Sequence, residues 1–394
     1  MKVTIGATNA ADTGAAIADA LAQVGDAAPG LIIAHIAATH DGRIVRDAIK
    51  ARFGSQTPVH GGTSCLGVMS NAGAFVEGGT GLGIACFEDA EGDFGVGIAD
   101  LGENPRAAAA EAARAALEQA GRAGEAPDLI WLTAAPGAEE AVIAGVEDVV
   151  GGECRIVGGS AADNSIAGDW FTFDGDNQMS NGVAVTVLFP SGGCSSAYQS
   201  GYAPTETCGI ATSAKGRRVF EIDGAPAGRI YADWTDGAVA AVASGDEPDA
   251  ILAASTFAPL GRKSAYVADV PFYLLAHPAT AHPDGSIEFF ADIDEGEELR
   301  LMNGGVDSLT SRAGRVAAQA AEGVDGAVAG ALVVYCGGCM LAVQEHMDRV
   351  AAGVDAALGG APFLGVFTFG EQGPVLNREN RHGNLMISCV TFAA

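Results

Sequence analysis

Apolar positions along the chain follow two alternating spacings. Residues 31–36 (Leu-Ile-Ile-Ala-His-Ile) are a short, nearly continuous apolar run of the length a buried strand needs. Ahead of it Ile17, Leu21 and Val24 recur at helical spacing, with Asp12 or Thr13 placed to cap that helix and Gly25 to stop it. Residues 43–53 read as a second helix. Pro58-Val59-His60-Gly61-Gly62-Thr63-Ser64 reads as a strand running into a glycine-rich turn, and strands follow at 81–87 and 94–101. Asn104-Pro105 opens an alanine-rich helix, because a first-turn proline lacks only an N–H that would be unpaired anyway.

The same order then returns. A strand at 128–132, a helix at 139–150 and a strand at 155–160 ending in Gly158-Gly159-Ser160 precede strands at 170–174 and 183–189. Gly61 and Gly158 lie 97 residues apart. A third rendering has a strand at 331–335, then a helix with Val343, Met347, Val350, Val354 and Leu358 on one face. It continues with Ala361-Pro362-Phe363-Leu364-Gly365 through Thr368-Phe369-Gly370-Glu371 and closes with a strand at 385–392. This period is too long for a solenoid. It predicts a mixed α/β (α+β) fold in which duplicated strand–helix–strand repeats form mixed sheets. Residues from about 190 to 326 break the pattern, with strands expected at 218–222, 271–276, 287–293 and 298–302 and a helix at 307–321. A boundary near residue 200 divides the chain into 1–200, holding repeats at 28–90 and 126–190, and 201–394, holding the third.

Composition narrows the function. At 394 residues, 48% hydrophobic and 18% charged, the chain has ample core and too little polarity for disorder. Its net charge is −28, and its only lysines are at 2, 50, 215 and 263. Such a balance argues against nucleic acid and against an anionic membrane surface as partners, since both demand clustered cations. Residues 1–14 hold no apolar leader, and 330–343 is too short and glycine-broken to span a bilayer. A cytoplasmic setting with eight reduced cysteines is the expectation. The usual dinucleotide, P-loop, hydrolase-elbow and zinc-protease motifs are absent.

Candidate chemistry gathers at the strand ends. The turns after Gly62 and Gly159 present Thr63, Ser64 and Ser160, with Asp163 and Asn164 just beyond; glycine permits close approach and the hydroxyls offer short hydrogen bonds. Tight packing between repeats accounts for those glycines equally well. In the third repeat Thr368 and Glu371 precede Asn380-Arg381-His382-Gly383-Asn384, where His382 and Asn384 are either ligand contacts or hydrogen-bonded turn residues. Cys336-Gly337-Gly338-Cys339 sits where a strand meets a helix, a position that favours a thiolate. Redox exchange, a metal or haem role, and plain packing are the readings there. His277 and His282, each before a proline, read as loop residues, and His35 and His40 as core or loop.

Taken together, these residues resemble the FIST family of sensory proteins. The resemblance rests on Val59–Ser64 with Gly67, on residues 77–87, and on Ile156–Ser160 with Asp163-Asn164. Towards the C-terminus it rests on Arg218–Asp223, Cys336, Pro362–Gly365 through Glu371, and the His382-Gly383-Asn384 strand. It makes 1–200 a FIST N-like part and 201–394 a FIST C-like part. The resemblance implies a non-enzymatic sensor of a small ligand. In the stand-alone branch of the family it implies b-type haem sensing nitric oxide and reporting to a histidine kinase or a cyclic-di-GMP enzyme. For that haem the candidate iron ligands are His382, His60 and Cys339. A haem-free sensor of an amino acid or other metabolite, and a thiol–disulfide protein using Cys336 and Cys339, are the alternatives. Many FIST chains carry Cys-x-x-Arg where this one has Cys336-Gly-Gly-Cys339, so carboxylate capture by that arginine is not expected.

Overall fold

A computed structural model describes residues 1–267, 269–376 and 379–394. The expected mixed α+β architecture is present, with its strands in three six-stranded mixed sheets and one nine-stranded sheet. In the first copy the strand Leu31–Ile36 pairs in parallel with Val59–Thr63, and the helix Gly42–Phe53 crosses between them. Asp41 caps that helix, its Oδ1 accepting from the Arg43 N–H at 2.8 Å. The strand Leu82–Glu88 returns antiparallel beside Leu31–Ile36, and Lys2–Thr8 adds the edge.

The second copy repeats this with Leu129–Ala134, the helix Glu139–Val150, Arg155–Ser160, the return strand Gly182–Phe189 and the edge Asp93–Asp100. The third uses Val328–Cys336, Phe363–Thr368, the return Met386–Ala393 and the edge Cys194–Ser200. Its crossing segment, read from the sequence as one helix, is two: Gly337–Ala342 and Met347–Ala357, separated by a 3-10 turn. The third copy is also discontinuous. Between its edge strand and its helix Val306–Glu322, residues 203–303 form the nine-stranded sheet.

Each copy lends a hairpin to a neighbour. Val68–Ser70 of the first extends the third copy's sheet by pairing with Leu364–Val366. Thr172–Phe173 of the second pairs with Gly61-Gly62 of the first. Glu371–Pro374 of the third pairs with Gly158-Gly159 of the second. The exchange is cyclic, and the apolar inner faces of the three sheets meet in one core that includes Ile33, Phe87, Trp131, Leu188, Val334 and Val390. The paired glycines serve this exchange. A Cβ at Gly61 would overlap the Phe173 ring, and one at Gly159 would overlap the Thr368 side chain. Those strand ends are therefore filled by neighbouring side chains rather than opening on a chamber.

Candidate functional site

The polar residues of the second and third copies converge at the end of the strand Arg155–Ser160. The borrowed hairpin places Glu371 opposite Gly159 and Gln372 opposite Gly158, with His382 across from Gln372. The helix Glu139–Val150 begins beside this strand end and delivers two acids. Glu139 is 1% exposed. Its carboxylate accepts from Ser160 Oγ at 2.7 Å, from the Gly137 N–H at 3.1 and 3.2 Å, and from Arg217 Nη2 at 2.5 Å. Arg217 comes from the nine-stranded sheet's region and also reaches Glu140 at 3.3 Å and Asp292 at 3.5 Å. His382 Nδ1 lies 2.9 Å from Glu140 Oε1, and Asn384 Nδ2 lies 3.4 Å from His382 Nε2.

These contacts set the charges. Burial pushes the Glu139 carboxyl up, but His382, Arg217 and Ser160 outweigh it and hold it below the usual carboxylate range. Glu140 meets the same opposition of burial against His382 and Arg217 and ends well below that range. Glu371 goes the other way: fully buried near Cys336, it is pushed well above the usual value. Its oxygens lie 2.8 Å from Thr368 Oγ1 and 3.0 Å from the Met386 N–H.

Beside this network a cleft of about 90 Å³ opens where the second copy, the third copy and the nine-stranded region meet. Glu139, Arg217 and Asn384 reach it as polar groups. Trp170, Phe369 and Phe290 wall it, with Ile166, Leu252 and Leu341 completing the apolar lining. Trp170 and Phe369 meet edge to face, 6.2 Å between centroids. Cys336 and His277 also line the cleft, and His277 is held by the Leu252 carbonyl at 2.8 Å.

Of the residues singled out from sequence, Ser160, Thr368, Glu371, His382 and Asn384 form or adjoin this network. Asp163 supports it indirectly. Its carboxylate accepts from the N–H groups of Ser165, Ala167, Gly168 and Asp169 at 2.8–3.0 Å, shaping the loop that carries Ile166 and Trp170. Asn164 instead bridges Leu66 N–H and the Gly79 carbonyl in the first copy. Thr63 bonds the Phe171 N–H at 3.1 Å, and Ser64 Oγ accepts from Phe367 N–H at 2.8 Å, so both tie copies together.

The three candidate iron ligands are in three different settings. His60 is buried, with Thr133 Oγ1 and Thr186 Oγ1 each 2.8 Å from a ring nitrogen. Cys339 is buried in the third copy's core beside the Tyr202 hydroxyl. His382 alone adjoins the cleft network, and its Nδ1 faces Glu140. The three therefore do not converge on one site, and the cleft that His382 adjoins is small, about 90 Å³. Glu139, Glu140 and His382 are close enough together to ligate a cation, but Arg217 already occupies the space between the two carboxylates. Of the readings left open at Cys336, a thiolate is disfavoured, because burial and Cys339 push that thiol well above its ordinary value. His277, expected on a surface loop, is 4% exposed.

Glu139, Arg217 and Trp170 were not visible as site residues in the sequence. Two glutamates opening a helix are ordinary dipole partners, and Arg217 becomes a site residue only through the placement of residues 203–303.

The fold and cleft define a pseudo-threefold α/β protein with an aromatic-walled cleft at the junction of its parts. The family comparison is more specific: a FIST N domain matches residues 30–225 and a FIST C domain residues 227–374, and the chain belongs to the FIST family, whose domains are sensory signal-transduction modules that bind small ligands. No curated protein matches the chain. Among solved structures it is similar to a cyanuric acid hydrolase from A. caulinodans, at 10% identity and a TM-score of 0.38, covering 100% of this chain and 99% of that one. No helix among the described residues is long and apolar enough to cross a membrane.

Proposed function

We propose that this protein senses a small zwitterionic metabolite of the amino-acid type, bound in the cleft at Glu139 and Arg217. The observation that carries the reading is that one carboxylate and one guanidinium, held together, both line a small aromatic-walled pocket. A ligand ammonium is complementary to Glu139 and a ligand carboxylate to Arg217. The rings of Trp170, Phe369 and Phe290 suit an apolar or cationic portion between them. Haem is not part of this reading, because His382, His60 and Cys339 stand in three different settings.

The pocket draws its walls from three parts of the chain, so a ligand that prefers one arrangement of them shifts their population. A signalling enzyme, a histidine kinase or a cyclic-di-GMP enzyme, would read that shift. Calorimetric titration against the amino acids, with the matching amines and carboxylic acids as controls, tests the ligand class. Expected is saturable binding of at least one amino acid, not of its amine or acid analogue, weakened at least about 100-fold in Glu139→Gln. Absence of binding across the whole panel sinks the reading.

A further inference from the structure

A second pocket lies away from this cleft, at the seam between the third copy and the nine-stranded region. It has about 220 Å³ of open space. Tyr202, Phe272, Tyr273, Met302 and Leu376 supply most of its apolar lining, and Arg312, on the helix Val306–Glu322, is the only charged residue lining it among the described residues. Among the described residues no acid lines it, in a chain that carries 49 acids against 21 bases. Arg312 makes no hydrogen bond or ion pair with the described residues, and its Nε is buried without a partner. Arginines elsewhere, such as Arg106 and Arg217, hold carboxylates.

An unpaired, half-buried guanidinium is costly, because burial removes water that nothing replaces. The cost is visible in its proton affinity, which burial and the neighbouring Arg315 both lower. At the rim Val270 is 68% exposed and Leu376 44%, apolar surface that would gain from being covered. One planar fork of donors set among rings and a thioether is complementary to a single carboxylate on an apolar body. A phosphate dianion would call for more than one cation, and an ammonium would be repelled.

We propose that this pocket binds an organic monocarboxylate, with the carboxylate bidentate on Arg312 and the apolar body against Phe272 and Met302. The site bridges the strand Cys194–Ser200, the hairpin strand Val270–Ala276 and the helix Val306–Glu322. A ligand there ties the nine-stranded region to the third copy.

The test is calorimetric titration of the full chain with phenylacetate, with phenylacetamide, and with a short peptide ending in phenylalanine with a free carboxylate. Expected is saturable binding of phenylacetate or of the peptide, no binding of the amide, and at least about tenfold weaker binding in Arg312→Met. Binding of only the small acid or only the peptide tells which source of carboxylate the site accepts. Glu139→Gln, which alters the other cleft, leaves this binding unchanged. Arg312→Met also raises the unliganded melting temperature, since it removes an unpaired charge and keeps the aliphatic stem. Failure of every carboxylate probe to bind, or equal binding by Arg312→Met, overturns the proposal.

Discussion

Arg217 stands among Glu139, Glu140 and Asp292, and it is the residue on which the electrostatics of the cleft turn. Glu139 is almost fully buried, so its charge is tolerable only while Arg217, Ser160 and the Gly137 N–H face it. Replacing Arg217 by Met leaves the buried Glu139 carboxylate without its guanidinium, while Glu140 keeps His382. The expected loss is about 3–5 kcal/mol of unfolding free energy, the range for orphaning a buried charge. Glu140→Gln, at a site 36% exposed, should cost about 1 kcal/mol or less. Urea titration of both variants checks the ordering, and equal costs would show that the pair is effectively solvated. At this scale the sequence was readable where chemistry clusters locally, as at His382 and Asn384. Glu139 and Arg217 lie 78 residues apart, and only folding gives that pair its meaning.

At the scale of elements, the glycine pairs show why a correct pattern carried an incomplete meaning. Both pairs end strands, as expected, but what they admit is a neighbour's hairpin rather than a chamber. Phe173 is fully buried against Gly61, so Gly61→Ala forces the ring to move and should destabilise by about 1–3 kcal/mol. In a Phe173→Leu background the same change should cost less, with a coupling of about 0.5–3 kcal/mol. A double-mutant cycle by urea denaturation measures this, and additive costs would mean the two do not meet. The helices and parallel strands were legible from their spacing. Val68–Ser70 was not, because it is only three residues long and owes its strand character to another copy; Thr172–Phe173 falls in the strand expected at 170–174, but its pairing with the first copy did not show.

For the molecule as a whole, close packing of three sheets buries titratable groups, and that ties stability to pH. The repeat was visible in the sequence because its apolar runs recur. The split of the third copy was not, since residues 203–303 interrupt it between an edge strand and the helix that follows. Packing these parts together leaves His35, His60 and His277 buried and neutral. Burial lowers His35 to about 3 and His277 to about 4, and it lowers His60 well below its usual value with His35 adding to the effect. Unfolding releases them to ~6.5. Below that pH the unfolded chain binds more protons, so each histidine removes up to about 1.4 kcal/mol of stability per pH unit, about 4 kcal/mol for three. Glu371 has the opposite sign. Burial holds its proton to a higher pH than the unfolded ~4.3, so as pH falls through this window it gives back part of what the histidines remove. Between about pH 6.5 and 4.3 the three histidines outnumber the one carboxyl, and stability falls as pH falls. His35 makes no side-chain hydrogen bond and only the Gly62 backbone faces its ring, so His35→Phe removes a proton-binding group without orphaning another side chain. Urea midpoints at pH 7.5, 6 and 5 should fall steeply in the parent chain, and His35→Phe should flatten the fall by about 1.4 kcal/mol per unit. A parent chain equally stable at pH 7.5 and 5 would mean that water reaches these histidines and that the three sheets do not close on them as described.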